Sequence, residues 1–154
     1  MALGRIRKWA AATAVTMIAA TVLVPEAARA QAAPDVTAGP TAWAPRVDPM
    51  FPNEYVIRDV SSASRNDELR KCRSEYACFS VGQGDGRHTI FRLYRCETRN
   101  LFSFINALAV YNNQTGGVSI EFWGNNYYRH VPPDRTIHLI EDYATYDFFK
   151  TDLC

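Results

Sequence analysis

The chain has 154 residues, 47% of them hydrophobic and 21% charged, with 17 basic against 16 acidic side chains. That length suits one ordinary domain with a core of its own. A formal net charge of +1 leaves no electrostatic footprint for nucleic acid or an anionic lipid surface, so neither is expected as a partner.

Residues 1–30 have the three parts of a secretory signal. Arg5, Arg7 and Lys8 precede an apolar run from Trp9 to Val24, and Ala28-Arg29-Ala30 supplies a small-residue cleavage site, which predicts a mature start at Gln31. The run of about 16 residues falls short of the roughly 20 that span a bilayer. The protein is therefore expected to be secreted and extracellular, with no membrane association after signal removal. Cleavage removes four basic residues and Glu26, leaving 13 basic against 15 acidic ones. The basic cluster Arg65, Arg70, Lys71 and Arg73 is interleaved with Asp67, Glu68 and Glu75, the composition of a solvated face.

Residues 31–71 read as a Pro-rich linker or arm, with Pro34, Pro40, Pro45, Pro49 and Pro52 set among Ala, Thr and Gly and no sustained apolar period. Within it, Tyr55-Val56-Ile57 allows a short strand and the stretch from Ser61 to Leu69 a brief helix. From Cys72 the composition shifts to aromatic and β-branched residues divided by Gly, Asn and Pro, which predicts short strands joined by turns. The spacing places strands near Tyr76 to Val81, His88 to Tyr94, Ala107 to Asn112, Gly117 to Trp123, Thr136 to Glu141 and Tyr146 to Lys150. Gly82-Gln83-Gly84-Asp85-Gly86 reads as the turn between the first two, since no Gly-Lys-Ser/Thr follows it as a phosphate loop requires. Val118, Ile120 and Phe122 alternate with Ser119, Glu121 and Trp123, so one face of that strand is apolar. Two packed sheets or a small barrel would bury such faces. The segment also reads as two similar halves about 43 residues apart, Ala77-Cys78-Phe79-Ser80 matching Ile120-Glu121-Phe122-Trp123, each long enough for a four-stranded Greek key.

The cysteines at 72, 78, 96 and 154, in a chain bound for an oxidising compartment, predict two disulfides with three possible pairings. Proximity favours Cys72 with Cys78, which leaves Cys96 for Cys154. Chain entropy leans slightly the other way, at about 2.3 plus 4.2 kcal/mol against about 3.5 plus 4.5 for Cys72 with Cys96 and Cys78 with Cys154. Sequence leaves the pairing open. Zinc fits poorly, since the C-x5-C spacing is loose and no His stands at finger distance.

The signal, Cys72-x5-Cys78 with Phe79 after it, the Gly-rich turn, and Ala109-Val110-Tyr111-Asn112-Asn113-Gln114-Thr115-Gly116-Gly117 leading into a strand together resemble the bacterial peptidase inhibitor family I36. The similarity spans about Cys72 to Cys154. It implies an all-β, βγ-crystallin-like sandwich of two Greek keys over 72–154, with the irregular arm before it, acting as an inhibitor of an extracellular peptidase, a metalloprotease among the targets. The characterised inhibitor has a second short disulfide loop that this chain lacks, so no reactive-site residue maps onto it. Many βγ-crystallins bind calcium through a short Asn/Asp- and Ser-rich run. The counterparts here, Ile105 to Val110 and Asp147 to Asp152, lack the oxygen ligands. No metal or cofactor is expected.

His88, His130 and His138 stand outside any G-x-S-x-G, H-E-x-x-H or Cys-His signature, and no catalytic residue is assigned; the protein is not expected to be an enzyme. The best candidate binding surface is Trp123, Asn125, Asn126, Tyr127, Tyr128 and Arg129, because aromatic and Arg side chains with Asn and Gly recur in recognition loops. Strand packing of Trp123 and one tyrosine accounts for the same residues equally well. The alternative to an inhibitor is a non-inhibitory binding module for a cell-wall polymer, a carbohydrate or a partner protein, and in either case a monomer is expected.

Overall fold

Aromatic and β-branched side chains that alternate along short segments need a second surface to cover them, and here two sheets cover each other. The computed structural model describes residues 43–154; the signal segment, the start at Gln31 and the first two prolines of the arm lie outside the described residues. Ten strands and two short helices follow in the order β1 (Arg46–Asp48), β2 (Tyr55–Ser61), α1 (Ser62–Arg70), β3 (Ala77–Gly82), β4 (Arg87–Leu93), β5 (Thr98–Phe102), β6 (Ala109–Asn112), β7 (Ile120–Gly124), β8 (Tyr128–Val131), β9 (Ile137–Leu139), α2 (Asp142–Asp147) and β10 (Phe148–Asp152). They make two five-stranded sheets, ordered β1-β5-β10-β7-β8 and β2-β4-β3-β6-β9, and every strand pairing is antiparallel. The described chain is all-β apart from those helices. None of its helices is long and apolar enough to cross a membrane.

From β3 onward the strands fall into two sets of four that exchange a member. The strands β3, β4 and β6 share a sheet with β9, while β7, β8 and β10 share theirs with β5. Each set sends its third strand across to the other sheet. The 43-residue offset read from the sequence sets Ala77 against Ile120, the first residues of β3 and β7.

Between the sheets, Phe79 is fully buried, with the rings of Phe91, Phe104 and Phe122 at centroid distances of 5.6, 5.9 and 5.4 Å. A second apolar cluster forms on the far side of the β3 sheet. There α1 lays Leu69 over Cys78, Ile90 and Ala109. This is why every residue of β3 is buried: one face meets the other sheet, and the opposite face meets α1. The helix starts where Ser61 accepts a hydrogen bond from the amide of Ser64 at 3.2 Å, a side-chain N-cap that satisfies a donor the first turn would otherwise leave open.

The sheets begin earlier than the Cys72 boundary read from the sequence. Part of the segment read as an arm supplies β1 and β2, the outermost strands beside β5 and β4. Three residues carry no periodicity, and Pro45 and Pro49 bracket β1 at an edge where a missing N–H does no harm. Trp43 anchors the start by donating its indole N–H to the Gly82 carbonyl at 2.7 Å. Its ring lies against Gly84, which has a φ of +83° and no room for a side chain. Within that segment Glu54 accepts from the backbone amides of Phe51, Tyr94 and Arg95 at 2.8, 3.0 and 2.9 Å and from Arg99 at 3.0 Å.

The disulfides are Cys72–Cys78 and Cys96–Cys154, the pairing that proximity favoured over chain entropy. With Cα atoms 5.9 and 5.2 Å apart, both pairs lie within the reach of a disulfide. Two such bonds fit an oxidising, extracellular-type environment.

Candidate functional site

Cross-strand register decides which of the six surface residues act together. Trp123 and Tyr128 are directly opposite on β7 and β8, their rings edge to face with centroids 4.7 Å apart. On the other side of Trp123 stands Lys150 of β10, its ammonium 5.3 Å from the indole. Lys150 is in turn opposite Asn100 of β5, and Asn100 opposite Asp48 of β1. One row thus crosses all five strands in the order Asp48, Asn100, Lys150, Trp123, Tyr128. It lies on the face turned away from the core, because the neighbouring positions Val47, Leu101, Thr151 and Phe122 are buried. Trp123 is 39% and Tyr128 43% exposed, which places both on the surface.

The row on one side is polar, and the row on the other carries the exposed Phe102. Tyr128 donates its hydroxyl proton to Glu121 at 2.7 Å, an acceptor bond that pushes the phenol upward from its ordinary pKa. Thr98 donates to Asp152 at 3.2 Å, and Arg46 lies 4.1 Å over the ring of Phe102.

The other four residues go elsewhere. Asn125 and Asn126 form the tip of the β7–β8 hairpin, which closes with the Gly124 amide donating to the Tyr127 carbonyl at 2.8 Å. Asp147, the last residue of α2, ties that tip down by accepting from the amides of Asn126 and Tyr127 at 2.7 and 3.0 Å. Those donors hold its carboxyl below the usual carboxylate range. Gly124 is required there, since a side chain would run into the Asp147 carboxylate and its carbonyl. Tyr127 packs on Tyr143 of α2, with centroids 5.1 Å apart. Arg129 is opposite Phe122, on the other side of the strand from Trp123, and its guanidinium is taken up by Glu141 at 2.9 Å.

Sequence reasoning missed Lys150, Asn100 and Asp48 as members of the row, and Asp147 as the support of the tip. Only alternation within β10 and β5 pointed outward for Lys150 and Asn100, and alternation does not say which strands become neighbours.

The histidines sit in three different settings. His138 presents the same nitrogen, Nε2, to Asp134 and to Thr136, at 3.0 Å each, so the ring does not bridge the two as a relay would. His88 Nε2 lies 3.0 Å from Ser62, which also donates to the Gly86 carbonyl at 3.0 Å. Its Nδ1 has no partner among the described residues. His130 is exposed beside Ser119 and Glu121. Among the described residues no group of three or more His, Cys, Asp or Glu side chains is placed to hold a metal.

No family model, no curated protein and no solved structure matches this chain.

Proposed function

We propose that the chain is a secreted binding module of the βγ-crystallin type, allied to the I36 inhibitors, and that it grips an extracellular polysaccharide through the outer face of the β1-β5-β10-β7-β8 sheet. The observation that carries the ligand assignment is the row from Asp48 to Tyr128, in which an indole and a phenol share one outer face with an ammonium, an amide and a carboxylate. A sugar offers an apolar ring face and a rim of hydroxyls, and such a row meets both. The fold assignment is supported by the exchange of third strands between two sets of four, and secretion by the signal features of residues 1–30 and the two disulfides.

The test is retention of the mature protein on cell-wall polysaccharide. Trp123→Ala is expected to weaken it by at least about thirtyfold, the loss of one central aromatic anchor worth about 2 kcal/mol. Equal retention of the variant, or none by the parent protein, would sink the assignment.

A second reading, peptidase inhibition, is favoured by the Cys72–Cys78 ring. It presents Arg73, Ser74 and Glu75 to solvent and is pinned from behind by Asn113, whose side chain donates to the Cys72 carbonyl at 2.9 Å and whose backbone pairs with Glu75 and Tyr76. A rigid protruding loop binds without ordering cost. Because the Tyr76 amide closes a turn onto the Arg73 carbonyl at 3.2 Å, the ring would act as a wedge rather than as an extended, substrate-like strand. Stoichiometric inhibition at micromolar protein across metallo, serine and cysteine peptidases, without polysaccharide retention, selects this reading over the first.

A further inference from the structure

The far side of the other sheet holds a cleft of about 470 Å³. It opens where α1, having covered Ile90 and Ala109, stops short of β9. Asn66 and Arg70 come to it from α1, Tyr111 from β6, Arg135 from the turn before β9, and Ile137 and Leu139 from β9 itself. The lining holds two guanidinium groups and no carboxylate.

Neither guanidinium is committed to a strong partner. Arg135 makes no ion pair or side-chain hydrogen bond among the described residues. Arg70 has only Asp67, at 3.3 Å, with the two side chains 60% and 75% exposed, and an exposed pair of this kind yields readily to a competing anion. Asp134, next to Arg135 in sequence, is occupied by the amide and hydroxyl of Thr136 and by His138, at 2.9 to 3.0 Å. The Tyr111 hydroxyl also has no hydrogen-bond partner among the described residues. Arg135 has a φ of 59°, a left-handed conformation that Gly or Asn adopts at lower cost. The turn thus holds a long cationic side chain where a small residue would suit the backbone better.

Beside these cations, and next to Asn66 and Thr136, the cleft has one apolar wall: Ile137 is half-buried, and Leu139 is 65% exposed. A ligand that matches this wall carries an anionic group small enough for a guanidinium fork, joined directly to an apolar portion. We infer that this cleft binds a carboxylate attached to an apolar side chain, the chemistry of a peptide's C-terminal residue. The planar fork pairs with both carboxylate oxygens at once, Tyr111 lines the same cleft with its hydroxyl uncommitted, and Leu139 gains the cover it lacks. The site lies on the sheet that does not carry Trp123, so it stands or falls separately from the polysaccharide assignment.

The experiment is a nitrogen-15 NMR titration of the oxidised mature protein with N-acetyl-L-leucine. Saturable shifts are expected at the Arg70 and Arg135 side-chain N–H groups and at the Thr136 and Leu139 amides, with little response to N-acetyl-L-leucinamide, which has the same apolar part and no charge. Arg135→Gln is expected to weaken binding about tenfold or more, the loss of a charge-assisted contact, with the melting temperature unchanged. Arg70→Gln provides a second reading on a residue outside the strained turn. Equal shifts with the amide, no saturation in the millimolar range, or unchanged binding by both variants overturns the inference. Equal or tighter binding of inorganic phosphate overturns the carboxylate assignment, and equal binding of glucuronate overturns the peptide end in favour of a sugar acid.

Discussion

Glu54 joins a segment that composition marks as a linker to the loop after β4. Its side chain and that of Arg99 are both fully buried, and the Arg99 guanidinium lies 4.5 Å from the ring of Phe51. A buried pair is weak evidence of net stabilisation, but removing one member leaves the other charged and unpaired, at a cost of about 3–5 kcal/mol. Glu54→Ala is expected to lose that much stability in urea denaturation, with the amides of Phe51, Tyr94 and Arg95 orphaned as well. A loss under about 1 kcal/mol would show that water takes over those donors. At His88 the effect is one of pH. The ring is 5% exposed, and burial first, then the nearby Arg65 charge, lowers its pKa from the ordinary 6.5. The folded state keeps the ring neutral while the unfolded chain takes up a proton near pH 6.5, so the unfolded state binds more protons below that pH. The contribution is fully present above about pH 6.5 and is lost as pH falls toward the depressed folded value. Melting temperatures of the parent protein should drop across that window, and those of His88→Gln should drop less.

At the scale of elements, the β7–β8 hairpin depends on a contact from α2. Gly124→Ala would press a methyl group on the Asp147 carboxylate, an overpacking worth about 1–3 kcal/mol, and it should weaken polysaccharide retention by tilting Trp123 and Tyr128 out of register. Unchanged stability and retention would mean that the tip relaxes freely. Seven of the ten strands were legible in the sequence, because aromatic and β-branched residues cluster in them, β2 only as the short run Tyr55-Val56-Ile57. The three that escaped each have a physical reason. In β5 the buried positions alternate cleanly, but the first of them is Arg99, so a true period of two reads as charge. The edge strand β8 is Tyr-Arg-His-Val, polar except for its last residue. β1 is only three residues long. The candidate site was legible as an aromatic run and not as a surface. Pairing alone brings Lys150, Asn100 and Asp48 into one row with Trp123 and sends Arg129 to the opposite side.

For the whole molecule, the segment before Cys72 belongs to both sheets. A fragment starting at Cys72 lacks β1, β2 and α1, uncovering the edge of β4 and the apolar cluster around Ile90. It is expected to melt without cooperativity in calorimetry, where the chain from Gln31 onward is expected to give a single transition; a sharp transition for the fragment would show that the remaining eight strands suffice. The exchange of third strands has a consequence for the order of assembly. In the sheet that carries Trp123, the last strand of the chain, β10, lies in the middle, between β5 and β7. Until residues 148–152 are available that sheet is two separate hairpin-sized pieces, β1 with β5 and β7 with β8. Native pairing across that sheet therefore waits until residues 148–152 have been made, however early β1, β5, β7 and β8 are in place.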